Sequence, residues 1–426
     1  MWSGLRAAAR SDGCEDCTMT QFRSRSAVAA LSRGFDATAM LPSVDAAVGV
    51  LLPSEPMHCL RPAVVTAAAR RMVEAFPGDV LYAVKCNPDL SVLRAIWDGG
   101  VRHFDCASAP EVSMVRSVFP DAAIHFMHPV KARHAIREAY AQHGVRDFVL
   151  DSADELAKIL QETDNAGDLG LFVRLALPAG GAAYDLSGKF GAPVDEAAEL
   201  LRAARPHAVR LGVCFHVGSQ CLEPLAYRRA LALTGEAIRL AGVPVEVIDA
   251  GGGFPVSYPD VTPPPLGAYL AEIEAAFEQL GLPETTRLWA EPGRALVAAG
   301  TSVVVQVQLR RGDALYINDG VYGSLSDAGT PRFRFPTRLI RKSDEPASGF
   351  ELFGPTCDSA DHMRGPFFLP ADVREGDWIE IGQLGAYGAC LRTAFNGFDK
   401  ARLVQVRDRP LLETPGYDGA VAALAA

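Results

Sequence analysis

Five short stretches of this chain carry side chains suited to carbonyl and anion chemistry. Lys85 follows the apolar run 80–84 and precedes Asn87-Pro88, which stops a strand and turns the chain. An ammonium at the end of a buried strand costs free energy unless it is paired, exposed or used. Burial also lowers a lysine's pKa, which makes the amine a better nucleophile toward a carbonyl. The plain structural alternative is a lysine that snorkels from a strand end. Gly251-Gly252-Gly253 follows the apolar run 245–249 and lets backbone N–H groups approach an anion, although a tight turn would need glycine too. Glu291-Pro292-Gly293-Arg294 sets a carboxylate three residues from a guanidinium. The arginine could bind phosphate and the glutamate could keep a heterocyclic nitrogen protonated, or the two could form a structural ion pair. His216-Val217-Gly218-Ser219-Gln220 offers an imidazole to lie against a flat ring and a hydroxyl for phosphate. Cys357-Asp358, after Gly354-Pro355, reads as a loop whose thiol could deliver a proton near neutral pH. A small buried core residue is the commoner fate of a cysteine.

A phosphate cradle, an acidic partner for a ring nitrogen and a buried lysine fit one cofactor, pyridoxal 5'-phosphate. It needs a lysine for its Schiff base and a group that tunes its pyridine nitrogen. A glutamate there keeps the ring a strong electron sink, which favours decarboxylation; an arginine would favour racemisation.

These side chains must be held by elements that the apolar pattern locates. Short apolar runs at 80–84, 101–105, 123–127, 146–150, 170–175, 211–216, 245–249 and 287–291 read as eight strands. Helical patterns fill most gaps, at 62–76, 91–97, 109–118, 131–141, 153–162, 223–240 and 266–280. The alternation predicts an α/β fold, a (β/α)8 TIM-type barrel over 63–296, with a doubly wound open sheet as the alternative. The strand ends deliver Lys85, Asp105, His128, Asp151, Arg174, His216, Asp249 and Glu291. In such barrels the active site is assembled at that face from several strands. Strand ends are polar in any case, and His128 and Asp151 are the expected bystanders. After residue 296 the pattern turns to strands at 301–309, 314–318, 336–341, 377–382 and 401–406. A second, β-rich domain over 297–426 is expected, made discontinuous by a strand contribution from 41–62.

The 426 residues are 49% hydrophobic and 22% charged, a globular composition that calls for two domains. A net charge of −10 without a basic stripe argues against nucleic acid and anionic membranes as partners. No apolar run is long enough to span a bilayer. Nine cysteines, an odd number scattered through strands, point to a reducing cytoplasm. Cys14 and Cys17 form an isolated CxxC in the Ala/Arg/Ser-rich arm 1–40, which is expected to be disordered, and no metal site is expected.

Several of these stretches together resemble a known family. Tyr82-Ala83-Val84-Lys85-Cys86-Asn87, Phe104-Asp105-Cys106-Ala107-Ser108, His216-Val217-Gly218-Ser219, Gly251-Gly252-Gly253-Phe254-Pro255 and Glu291-Pro292-Gly293-Arg294 resemble the ornithine decarboxylase group of pyridoxal phosphate enzymes with an alanine-racemase fold. The resemblance continues through Asn318-Asp319-Gly320-Val321-Tyr322-Gly323-Ser324, Gly354-Pro355-Thr356-Cys357-Asp358 and Gly385-Ala386-Tyr387 to Phe395-Asn396-Gly397-Phe398, covering residues 55–410 in matching order. It implies that Lys85 is the Schiff-base lysine, Glu291 the pyridinium partner and His216 the residue stacked on the ring. Ser219, Gly252, Gly253, Arg294 and Tyr387 would hold the phosphate, and Asp105, Glu111 and Arg174 would tune the lysine and glutamate. The family also implies a homodimer in which Cys357 and Asp358 enter the partner's site. Cys357 would reprotonate Cα, and Asp358 and Asp319 would face a distal ammonium, with Tyr322 and Phe395 beside the substrate.

The expected reaction is decarboxylation of L-ornithine to putrescine in polyamine biosynthesis. Lysine differs by one methylene, worth only ~1–3 kcal/mol of discrimination in a pocket, so a lysine or dual enzyme is the nearest alternative. Diaminopimelate carries a distal carboxylate for which two aspartates are poor hosts. Arginine decarboxylases on this fold are expected to be longer chains. A non-catalytic homologue acting as a binding protein should have lost Lys85, Glu291, Arg294, Cys357 or Asp358, all of which are present.

Overall fold

The eight strands close into a parallel barrel in the order β3 (Asp79–Ala83), β4 (His103–Cys106), β5 (Ala123–Phe126), β6 (Asp147–Leu150), β7 (Leu169–Arg174), β9 (Ala208–Cys214), β11 (Val247–Asp249) and β12 (Arg287–Ala290), which returns to β3. This computed structural model describes residues 40–417 except Ala179, Gly181, Asp185 and Ser187. The expected arm 1–40 and its CxxC therefore lie, apart from Met40, outside the described residues. Closure excludes the open doubly wound sheet.

The strands are near-continuous apolar runs because helices cover the outside of the barrel and side chains fill its inside. Leu81, Met127, Val149, Phe172, Cys214, Val247 and Trp289 pack into one buried interior cluster. Because strand side chains alternate between faces, polar residues two positions to either side of this layer face the two ends of the barrel. Glycines make room for it. A Cβ at Gly212 would stand 2.3 Å from the Phe172 ring, and one at Gly170 would stand 1.9 Å from Asp147 Oδ1.

The helices begin where their caps are. Ser108 and Ser152 accept hydrogen bonds from the backbone N–H groups of Glu111 and Glu155, starting the helices Ala109–Val118 and Ala153–Glu162. One barrel helix, Val194–Ala204, was not predicted. The stretch before it, with glycines at 180, 181, 188 and 191, reads as loop, and the helix itself is short and alanine-rich.

The second sheet is ordered β1 (Met40–Leu41), β19 (Arg402–Val406), β2 (Met57–Leu60), β13 (Thr301–Arg311), β14 (Ala314–Ile317), β16 (Ala347–Phe353) and β17 (His362–Pro370). β15 (Thr337–Leu339) pairs with β18 (Trp378–Ile381), which pairs with β13. β2 lies between β13 and β19, but Val44–Leu51 is a helix and not part of a strand. Ser43 caps it, and Val44, Ala47, Val48 and Leu51 form a buried stripe at helical spacing. β16 and β17 were not predicted; Cys357 lies in the loop between them.

Candidate active site

The C-terminal mouth of the barrel brings four groups together. β3 and β4 pair in parallel with Ala83 opposite Asp105. Lys85 follows in a short 3-10 turn, Val84–Cys86, and its Nζ lies 2.5 Å from Asp105 Oδ2. The Asp105 side chain is 1% exposed, whereas that of Lys85 is 42% exposed, so the amine is deep in the mouth yet open to a ligand. Desolvation opposes its charge, but the Asp105 and Glu291 carboxylates outweigh that and hold the Lys85 pKa above its ordinary value. The sequence reading expected the opposite direction. A paired carboxylate twenty positions away was not visible in the strand motif.

The adjoining strands carry a carboxyl pair. Asp249, fully buried at the end of β11, accepts the Gly251 N–H at 2.8 Å through Oδ1 and is hydrogen-bonded to Glu291 at the end of β12. Burial first, then the Asp249 charge, raises the pKa of Glu291 well above the ordinary carboxylate range; burial raises Asp249 to about 6. Both shifts favour a proton held on this carboxyl pair. That proton is the one a pyridine nitrogen requires. Burial, with help from Arg174 and Lys85, lowers His216 to about 3, and its Nδ1 accepts the Gly218 N–H at 3.0 Å. The ring is thus neutral and flat, suited to stacking.

The glycine turn is a cradle that side chains would fill. A Cβ on Gly251 (φ +67°) would lie 2.0 Å from Phe215 O, one on Gly252 2.6 Å from Glu291 O, and one on Gly253 (φ +106°) 2.5 Å from Gly218 O. Tyr227 Oη donates to Gly252 O at 2.9 Å and fixes the loop from below. Arg294 presents Nε and Nη2 to Ser219 Oγ, both at 3.4 Å. Its guanidinium lies 5.0 Å from the Tyr387 ring. Tyr387 itself is held by its N–H to Cys86 O at 3.0 Å. Glu291 and Arg294 are therefore not an ion pair; Arg294 pairs with Asp327 at 2.9 Å. The backbone cradle, the cationic fork beside it, the Glu291 carboxyl with its raised pKa and the reachable Lys85 together fit pyridoxal 5'-phosphate.

Other predicted residues sit elsewhere. Glu111 caps its helix, with Oε2 accepting the Ala107 N–H at 2.6 Å. Arg174 lies 5.7 Å from the Phe190 ring, which also packs edge-on against His128. Asp151 accepts the Gly191 N–H at 2.9 Å, so His128 and Asp151 anchor the loop after β7. Cys357, Asp358, Tyr322 and Phe395 gather on an exposed face of the β domain. Tyr322 Oη donates to Asp358, its ring lies tilted against Phe395 at 5.1 Å, and Cys357 N–H donates to Asn396. Among the described residues no hydrogen bond, ion pair or ring contact joins this face to Lys85, Glu291 or His216.

Asp319 departs from its expected role. It is 2% exposed; Oδ2 accepts from Arg392 at 2.8 Å and Oδ1 accepts from the Gly320 and Ser324 N–H groups. Its charge is spent on the turn, which removes it as the partner of a substrate ammonium. Sequence reasoning missed Asp249, Tyr258 and Asp327 as parts of this site. Asp249 stood among the strand ends; nothing local marked the other two.

Two family models match the chain. The pyridoxal-binding domain of the pyridoxal-dependent decarboxylases spans residues 63–298, and their C-terminal sheet domain spans 295–385. An ornithine decarboxylase of Panagrellus redivivus is 36% identical over 78% of this chain and 80% of its own length. A lysine/ornithine decarboxylase of Selenomonas ruminantium is 33% identical over 78% and 84%. Among solved structures, the Paramecium bursaria Chlorella virus arginine decarboxylase superposes with a TM-score of 0.75 at 29% identity, over 85% of this chain and all of that one. The chain belongs to the pyridoxal-dependent decarboxylases, and is an amino-acid decarboxylase whose cofactor is pyridoxal 5'-phosphate.

Proposed function

We propose that this enzyme decarboxylates L-ornithine to putrescine, the first committed diamine of polyamine biosynthesis, as a cytoplasmic homodimer with shared active sites. The observation that carries the substrate class is Asp358, a half-buried carboxylate beside Tyr322 and Phe395, which suits the cationic end of a diamino acid. The ornithine and lysine/ornithine relatives support the same class.

The bound cofactor supplies an electron sink conjugated to the substrate's Cα. The chain's own residues do the rest. Lys85 provides the amine, with Asp105 accepting its protons before it reacts. Glu291 would face the pyridine nitrogen and favour its protonated form, with Asp249 behind it. His216 lies neutral against the ring face. The glycine cradle, Ser219, Arg294 and Tyr387 grip the phosphate. After CO2 leaves, Cys357 of the second subunit protonates Cα, and its neighbour Asp358 pairs with the distal ammonium. The separation of the Cys357 face from Lys85 within one chain supports that arrangement, because each face is then completed by the other subunit.

Lysine is the second reading, favoured by the Selenomonas relative. Chain length does not set arginine aside, contrary to the sequence expectation, since the viral arginine decarboxylase is matched over its whole length by 85% of this chain. The test is kcat/KM for ornithine, lysine, arginine and diaminopimelate measured side by side. Ornithine should lead; a higher value for any of the others sinks the substrate assignment. Mixing Lys85→Ala with Cys357→Ala subunits should restore part of the activity, and no recovery after confirmed subunit exchange would remove the shared site.

A further inference from the structure

Arg294 is hydrogen-bonded to Ser219 beside the glycine cradle, and it already has a counter-ion. Asp327, from the short helix Ser326–Gly329 of the β domain, places Oδ2 2.9 Å from Nη1 of Arg294. Tyr258 Oη lies 2.9 Å from the same nitrogen. Arg294 and Asp327 are 4% and 5% exposed, so water solvates neither well. Tyr184 Oη donates to Asp327 Oδ1 at 3.0 Å and fixes the carboxylate from the barrel side. The Nε–Nη2 edge that faces Ser219 is left for the phosphate, while the opposite nitrogen is bound to a carboxylate.

We propose that Asp327 is an affinity-limiting residue for the cofactor's phosphate: an internal counter-ion that stabilises Arg294 in the empty site and repels the anion in the filled one. This rests on the reading of the Gly251–Gly253 turn and Arg294 as the phosphate end. Two physical effects act in the same direction. A buried guanidinium without a partner is costly, so Asp327 lowers the free energy of the empty state and with it the gain on binding an anion. With the cofactor bound, the carboxylate would lie across one guanidinium from the phosphate, where like charges in a partly buried site repel. Orientation opposes both effects, since Asp327 also steers the fork. Asparagine keeps an acceptor for Nη1 and a polar partner for Tyr184 while removing the charge, so it isolates the electrostatic part.

The experiment titrates cofactor-stripped Asp327→Asn and wild-type protein with pyridoxal 5'-phosphate and, separately, with phosphate-free pyridoxal, followed by absorbance. Asp327→Asn should bind pyridoxal 5'-phosphate about tenfold tighter or more and bind pyridoxal unchanged. Inorganic phosphate should also raise the thermal midpoint of the variant more than that of wild type. Unchanged or weaker binding of pyridoxal 5'-phosphate, with pyridoxal unaffected, overturns the proposal and leaves Asp327 a positioning residue. An equal shift for both ligands overturns it too, because the effect then does not act at the phosphate. If Asp327→Asn does not fold, Asp327→Ser carries the same prediction. Wild type that discriminates neither ligand by its phosphate would instead remove the phosphate-end reading itself.

Discussion

The two ends of the barrel are built by the same strands from the same kinds of residue, and they do opposite things with them. β4 supplies His103 to the bottom and Asp105 to the mouth; β12 sets Trp289 in the layer between them, its indole N–H reaching Asp79 at the bottom, and leads into Glu291 at the mouth. At the bottom the charged and polar groups face one another. His103 Nδ1 and His125 Nε2 are 3.0 Å apart, His125 Nδ1 is 2.8 Å from Asp147, Arg210 reaches Asp147 at 3.1 Å, and Trp289 donates to Asp79 at 2.9 Å. At the mouth, Asp105 Oδ1 is buried without a donor, and the Asp249 and Glu291 carboxyls are pressed together. The apolar layer between them keeps the two networks apart. Polar side chains on strand ends thus become structural when their partners are complete, and reactive when one partner is left for a ligand.

A parallel contrast separates two lysines. Lys131 has the nucleophile's pKa, lowered to about 8 by burial, but its side chain is fully buried and donates to His128 O, Val149 O and Glu155. Lys85 has the raised pKa and the open path. Access, not basicity in the empty protein, distinguishes the anchor.

Breaking the mouth should cost activity and breaking the bottom should cost stability. The largest effect belongs to Lys85→Ala, which should lose nearly all turnover together with the borohydride-sensitive visible absorbance. Glu291→Gln should retain the cofactor and lower kcat by roughly 10²-fold, the scale of one preorganised charge partner; unchanged kcat would remove Glu291 as the ring's partner. Asp147→Asn, at the bottom, should leave kcat alone and lower unfolding free energy by about 1–3 kcal/mol, since His125 and Arg210 lose the carboxylate charge and one of its two acceptor oxygens. A fall in kcat without a stability change would erase the contrast. The smallest effect is a pH slope. Burial, and then the neighbouring His125, lowers His103 to about 4 from an ordinary 6.5. The unfolded chain takes up this proton first, so stability is full above about pH 6.5 and declines as pH falls toward 4. His58 and His216, lowered by burial to about 4 and about 3, add slopes of the same sign. In denaturant titrations His103→Gln should flatten this decline; an unchanged slope would place the acid sensitivity in the other two histidines.

What the sequence made legible follows a physical line. All eight barrel strands were readable because burial on both faces leaves runs such as Val80-Leu81-Tyr82-Ala83-Val84 with little else to be. Lys85, His216, Gly252 and Glu291 were readable because each follows such a run and strand ends converge. The misses depend on partners distant in the chain. Asp319 is neutralised by Arg392, 73 residues away, and Arg294 by Asp327, 33 residues away, and neither pairing leaves a local trace. The direction of the Lys85 shift was missed for the same reason: its cause is an ion pair set by the register of β3 against β4.

The central claim is that the open, ion-paired Lys85 and not the low-pKa Lys131 anchors the cofactor. Borohydride reduction of the holoenzyme, proteolysis and mass spectrometry of the phosphopyridoxyl peptide test it directly. The label should fall on the peptide containing Lys85 alone; label on Lys131, Lys158 or any other lysine would contradict the account.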